Sequence, residues 1–363
     1  MTADKYGFYQ VGDLKTYSKM EAIELEKRTN RASHWNFNDE VFSAVNWRQE
    51  PAADLWSLYK DRARQIRNQY DYVVLFYSGG SDSHNILNAW IAADCKIDEI
   101  AAIWNYGASA DKQDHCNAEI TNVVLPDIQL LRDGGMEFNF RLIDISQHSL
   151  DIFDAFGLNF EYYINRYFSI NNPARALFRE KIADYKDIIA SGKRLCFVWG
   201  IEKPVLGYDN GYYFNFIDAL DNCVSPYVQE RYHLGWYDEL FYWSTDAVQI
   251  PVKQAHIIKN FVQLCNDPSL YQNDHTNYGY NKQLQQYLKV ETVKNLIYPK
   301  WSNDIFCNGK AGSFIYSDRD TWFFNSNLEL KERYDQVVRH VVSHGRIKNR
   351  NIVPHSSKRY YLE

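Results

Sequence analysis

Ser78, Gly79, Gly80, Ser81, Asp82 and Ser83 form the densest chemical signal in the chain, within the stretch YVVLFYSGGSDSHNILNAW at residues 72–90. Two adjacent glycines let the backbone turn sharply and let a ligand approach it closely. The amides that follow open a helix, where the macrodipole favours an anion. Ser78, Ser81 and Ser83 add hydroxyl donors, so a phosphate can be surrounded without a lysine in the turn. Asp82 would repel a bare phosphate, but a carboxylate suits a phosphate that travels with Mg²⁺.

Other phosphate and nucleophile motifs fit less well. No GxxxxGK[ST] string and no GxGxxG string occurs in the chain. The hydrolase elbow GxSxG is approached by Gly79 and Ser81, but Ser83 stands where its last glycine belongs. A plain strand-to-helix turn capped by Ser and Asp stays open as a purely structural reading.

Further reactive side chains are scattered. Asp111, Asp114 and His115 lie in a polar segment, ASADKQDHCNAE, after an apolar run. His340 and His344 have the i,i+4 spacing of metal ligands on a helix, without the glutamate of HExxH. Arg62, Arg64 and Arg67 read as a solvated helix face. The six cysteines (Cys95, Cys116, Cys196, Cys223, Cys265, Cys307) contain no CxxC pair. That pattern implies reduced thiols rather than a disulfide frame or a zinc ribbon.

The elements that must position the turn follow from hydrophobic patterning. YDYVVLFY is a short, nearly continuous apolar run, as expected of a strand covered on both faces. SHNILNAWIAADC continues as a helix, IDEIAAIWNYG as a second strand, and CNAEITNVVLPDIQLLRDGG as a helix interrupted at Pro126. MEFNFRLIDIS and KRLCFVWG give a third and a fourth strand, with a helical stretch over roughly 150–190 between them. Alternating strands and helices predict an α/β protein with a parallel sheet and helices on both faces.

Residues 1–70 read as a mainly helical opening segment, with helices at SKMEAIELEKRTN and at 51–70. Residues 71–220 form the core. Residues 221–363 read as mainly helical, with VKQAHIIKNFVQLC and NKQLQQYLKVETVKNLI the clearest pieces and a basic, irregular tail. GYYFNFID adds one more expected strand.

A net charge of −6 argues against a general nucleic-acid binder, which carries a basic stripe. No run approaches the roughly 18 apolar residues needed to span a bilayer. The N-terminal MTADKYGFYQ has no apolar signal core, so a cytoplasmic protein without membrane contact is expected.

SGGSDS, in its strand-to-helix setting, resembles the SGGxDS signature of the PP-loop ATP pyrophosphatases, the superfamily that includes asparagine synthetase and GMP synthetase. The resemblance covers roughly residues 71–205. It implies an adenine nucleotide alpha hydrolase-like fold, with ATP and Mg²⁺ as ligands. It also implies splitting of ATP to AMP and pyrophosphate, with an acceptor carboxylate or carbonyl oxygen adenylated for amide or C–N bond formation. Residues 78–83 would hold pyrophosphate, Asp82 its metal, and Phe76, Tyr77 and Trp104 the adenine.

Trp199 and Gly200 match a later strand end of asparagine synthetase, although GIEKP lacks the family's second glycine and acidic pair, leaving Glu202 in that place. Lys253 matches a pyrophosphate-contacting lysine early in a helix, with His256 and Lys259 on nearly the same face, and Lys203 is a second cation for phosphate. Position 2 is Thr, so the cysteine of a glutaminase half is missing; the nitrogen donor would be free ammonia or an amine. Two alternatives accompany this expectation: a nucleotide-binding module without turnover, and an enzyme that amidates or thiolates a base in tRNA or DNA.

Overall fold

A computed structural model of the chain describes residues 7–16, 19–104, 118–148, 151, 178–200, 205–218, 235–267, 271–273, 286–288, 290–301, 328, 332, 347–348, 351–352 and 355–363. Five short strands lie side by side in its central sheet: β4 (Tyr72–Phe76), β5 (Glu99–Trp104), β6 (Asn139–Asp144), β7 (Leu195–Trp199) and β11 (Trp236–Leu240). All neighbours pair in parallel, in the order β11-β7-β4-β5-β6. The registers set Val74 beside Phe197 and Glu99, and Phe197 beside Asp238. Since side chains alternate along a strand, Val74, Phe197, Glu99 and Asp238 share one face. Leu75, Val198, Ile100 and Glu239 share the other.

Helices cover both faces. On the first, Tyr185 of the helix α6 (Ala183–Ala190) donates to Glu99 Oε1 at 2.5 Å, with Arg141 Nε at 3.0 Å and Tyr72 at 3.1 Å from the same carboxylate. On the second, α3 (Leu55–Gln69) sends Arg62 to Glu239 at 2.6 Å, and Tyr70 donates to the other oxygen of that carboxylate at 2.6 Å. The helix α4 (Ser81–Ala92) packs beside α3 and buries Ile86, Leu87 and Trp90. The expected α/β architecture with helices on both faces is therefore what the molecule has.

The order of strands carries a consequence for function. From β4 the chain steps outward to β5 and β6, then returns to place β7 and β11 on the opposite side of β4. The direction of winding reverses between β4 and β7. In open parallel sheets the crevice at such a reversal, beyond the carboxyl ends of the strands, is where ligands bind.

Outside the core several expectations need correction. The opening segment has its helices α1 (Lys19–Thr29), α2 (Asp39–Ser43) and α3, but it also contains an antiparallel sheet. Its strands are β1 (Phe8–Val11), β2 (Leu14–Thr16) and β3 (Ser33–Asn36), in the order β2-β1-β3. Strands of three or four residues are too short for their period to stand out in sequence. They are held by packing across strands: Tyr9 meets Trp35 edge-on at 4.8 Å.

The strand β11 lies within the region 221–363 that is expected to be mainly helical. The expected strand GYYFNFID is β9 (Tyr212–Asn215) with β10 (Ile217–Asp218). A second sheet, antiparallel where paired, has the order β12-β13-β8-β9-β17, using β8 (Val205–Tyr208), β12 (Tyr271–Asn273), β13 (Gln286–Leu288) and β17 (Tyr360–Tyr361). The tail is thus not wholly irregular. It supplies β17, the pair β14 (Ile347–Lys348) and β15 (Asn351–Ile352), and β16 (His355–Ser356) beside β10. The helix α7 (Gln249–Cys265) matches the expected one, whereas NKQLQQYLKVETVKNLI, expected as one helix, contributes β13 and then α8 (Val290–Ile297). Among the described residues, no helix is long and apolar enough to cross a membrane.

Candidate functional site

Residues 77–83 leave the carboxyl end of β4 and open α4. Tyr77 still donates to Ala101 O at 2.8 Å, extending the pairing with β5 by one step. Gly79 then takes φ +77°, and a Cβ there would lie 2.9 Å from Glu119 O and 3.2 Å from both Val123 Cβ and Val124 Cγ2. The turn is laid against the π-helical turn Ile120–Val124 that precedes α5 (Leu125–Asp133), so both conformation and space demand glycine.

Gly80 is the N-cap of α4, and no side chain caps the helix. The amides of its first turn have no acceptor within the helix. Of the three hydroxyls, that of Ser83 works inside the turn: it accepts from Ser78 N at 3.1 Å, donates to Gly80 O at 3.1 Å and lies 3.2 Å from Ser78 Oγ. Ser78 is exposed, while Ser81 and Ser83 are buried.

Asp82 sits in the first turn of α4 with two tyrosines committed to it. Tyr298, just after α8, donates its hydroxyl to Asp82 Oδ1. Tyr242, two residues beyond β11, donates to Asp82 O at 2.8 Å and accepts from Asn85 Nδ2 at 3.0 Å. Burial, reinforced by neighbouring charges and hydroxyls including Asp82, pushes both phenols well above the ordinary tyrosine range, so both stay protonated donors. Behind them Tyr59 donates to Ile297 O at 2.8 Å and accepts from Gln254 at 2.8 Å.

Gly200 approaches from β7. A Cβ on it would meet Ile86 Cδ1 at 3.0 Å and Asp82 C and Cβ at 3.1 Å. The two stretches singled out by sequence, 78–83 and 199–200, thus touch across the reversal between β4 and β7.

The aromatic residues divide between the two faces of the sheet. Phe76 and Trp199 stack on each other at 3.9 Å between ring centroids. Trp199 Nε1 donates to Asp238, which is bound by Arg179 at 2.7 and 2.8 Å. Tyr77 points the other way. It donates to Asp127 and lies 3.0 Å from His84 Nδ1. Burial raises the Asp127 carboxyl, but hydrogen bonds from His84 and Tyr77 outweigh it and leave the group below its usual range. Trp104 ends β5, half-buried, beside Asp144 of β6. Phe76 and Trp104 therefore stand on opposite faces, and the three residues expected to hold adenine do not form one surface.

Lys253 is directed elsewhere: its ammonium is held by Glu50 Oε1 at 2.6 Å and Pro51 O at 3.0 Å. His256 Nε2 donates to Trp47 O at 2.8 Å, and Lys259 reaches Leu362 O. Arg62, expected on a solvated face, is buried against Glu239, whereas Arg64 pairs with Asp61 on the surface. Lys203, Glu202, Asp111, Asp114, His115, His340 and His344 lie outside the described residues. Among the described residues no three His, Cys, Asp or Glu side chains converge as a metal cage. A Mg²⁺ bound mainly by phosphates needs only one or two carboxylates, so Asp82 alone fits that case.

Tyr242, Tyr298, His84 and Asp127 are the site residues that sequence reasoning missed. Only His84 had a local signal, being next to the turn. No protein-family model matches the chain, and no curated protein matches it at a significant level.

Proposed function

We propose that the turn at residues 78–83 binds MgATP and that the protein transfers the adenylyl group to an acceptor oxygen with loss of pyrophosphate. One observation carries the reading: an uncapped helix N-terminus and a glycine of positive φ stand at the winding reversal of a five-stranded parallel sheet. An acceptor carboxylate or carbonyl oxygen attacks the α-phosphorus. The bond to the α–β bridging oxygen breaks, and pyrophosphate leaves with that electron pair. Donors fixed beforehand around the β- and γ-phosphates stabilise this charge more as it grows than before. Asp82 would hold the metal that comes with the nucleotide. Ammonia or an amine then attacks the activated carbon, and the C–N bond forms as the bond to AMP breaks and the nitrogen loses a proton.

Incubation of the chain with ATP, Mg²⁺ and panels of carboxylic acids and amines should release AMP and pyrophosphate in equal amounts. Asp82→Asn should abolish that release with the fold intact. Release of ADP and phosphate instead, or full activity in Asp82→Asn, would overturn the proposal. A second reading, nucleotide binding without turnover, is favoured by the engagement of Lys253 with Glu50, which directs that expected cation elsewhere. Tight MgATP binding with no AMP formed would select it.

A further inference from the structure

The Asp82 carboxylate is held from far along the chain. Tyr298 lies 216 residues away in sequence, yet its hydroxyl meets Oδ1 of that carboxylate. The Tyr298 and Tyr242 rings pack at 5.6 Å between centroids, and Tyr59 meets Tyr242 edge-on at 5.6 Å. Nothing in this cluster lets Tyr298 swing away: its ring is fully buried, and the preceding carbonyl, of Ile297, is bonded by Tyr59. Tyr242 cannot replace it, because Asn85 donates to the Tyr242 oxygen and its proton goes to the Asp82 carbonyl. Of these two tyrosines, Tyr298 is the one bonded to the carboxylate itself, as distinct from the backbone.

A carboxylate in the first turn of a helix already gains from the dipole and needs no buried partner for that. A tyrosine brought to one of its oxygens does something else: it fixes the carboxylate plane and rotamer. Partners of this kind set how well a carboxylate holds a metal, and their loss costs about 10–100-fold in metal affinity or activity. We propose that Tyr298 is a positioning residue, which aims the Asp82 carboxylate at the Mg²⁺ of the bound nucleotide and makes the segment 290–301 part of the site. This rests on the MgATP reading above.

The test measures how much Mg²⁺ is needed for half-maximal binding of an ATP analogue with a methylene α–β bridge, using the full chain. Tyr298→Phe, which keeps the ring, should raise that Mg²⁺ concentration by about 10–100-fold while leaving nucleotide affinity at saturating Mg²⁺ near that of the wild type. Tyr185→Phe removes an equally buried hydroxyl, bound to Glu99 on the face of the sheet opposite α3 and α4. It should lower stability and leave the Mg²⁺ requirement unchanged. An unchanged requirement in Tyr298→Phe overturns the positioning role alone. So does an equal rise in Tyr185→Phe, which would reduce the effect to general loosening. A wild-type chain that binds no nucleotide at any Mg²⁺ concentration overturns the site reading and this proposal together.

Discussion

Gly79→Ala tests whether the turn owes its shape to the missing Cβ. Two separate penalties apply. An alanine at φ +77° meets the left-handed cost of about 1–2 kcal/mol. Its Cβ would also stand 2.9 Å from Glu119 O and 3.2 Å from Val123 Cβ and Val124 Cγ2. The nearest atom is backbone, so it cannot rotate away, and overpacking of this kind costs about 1–3 kcal/mol. The expected total is about 2–5 kcal/mol. Gly192 provides the control. It has φ +81°, just beyond α6, and nothing lies within 4 Å of a Cβ built there. Gly192→Ala should therefore show the conformational cost alone, about 1–2 kcal/mol. Both variants can be compared by urea unfolding followed through tryptophan fluorescence, with nucleotide binding measured alongside. Gly79→Ala should also displace the first amides of α4, and a displacement near 1 Å is enough to lower turnover by about 10²-fold. Equal losses of stability in the two variants would refute the argument, because contact with the Ile120–Val124 turn would then contribute nothing.

Two further outcomes follow from groups outside the turn. Arg62→Met removes the buried guanidinium that pairs with the buried Glu239 carboxylate, and should cost about 3–5 kcal/mol in urea unfolding. Adding Glu239→Gln should recover a large part, since the neutral amide still accepts from Tyr70. His256 is buried, and burial holds its pKa below the ordinary value while its Nε2 proton goes to Trp47 O. Below about pH 6.5 the unfolded chain binds a proton that the folded chain does not, so stability falls as pH falls through that range. The limiting slope for one proton is about 1.4 kcal/mol per pH unit. His256→Gln, which keeps a donor near Trp47, should flatten the stability profile between pH 5 and 7; an unchanged slope would assign the proton uptake elsewhere.

The strands β4 to β7 and the turn after β4 are legible in sequence because their signals are local. An apolar run, two glycines and a change of period from strand to helix sit within twenty residues. β11 is not legible for a converse reason. WYDEL carries Asp238 and Glu239, two buried acids that read as a polar segment until their partners are known. Arg179 and Arg62 neutralise them from 59 and 177 residues away. Arg62 did leave a trace. It falls at i+3 of the stripe formed by Tyr59, Ala63 and Ile66, which marks it as facing inward with them. Tyr298 left none, since nothing in YPKW distinguishes it from any other aromatic residue.

This difference bears on how the site is to be understood. A helix N-terminus with free amides attracts any anion, and on that ground alone a bare phosphate would suffice. Asp82 speaks against a bare anion. At about 4 Å two like charges repel by about 4 kcal/mol at an effective dielectric constant near 20. If Asp82 served only the helix dipole, it would contribute about 0.3–1 kcal/mol and would need no support. Yet Tyr298 and Tyr242, both buried, commit their hydroxyls to this residue, and Gly200 is kept free of a side chain where it passes the Asp82 backbone. Three elements distant in sequence converge on this one residue in the first turn of α4. That arrangement makes physical sense where a cation accompanies the anion, and the Mg²⁺ dependence of nucleotide binding is the quantity in which it should appear.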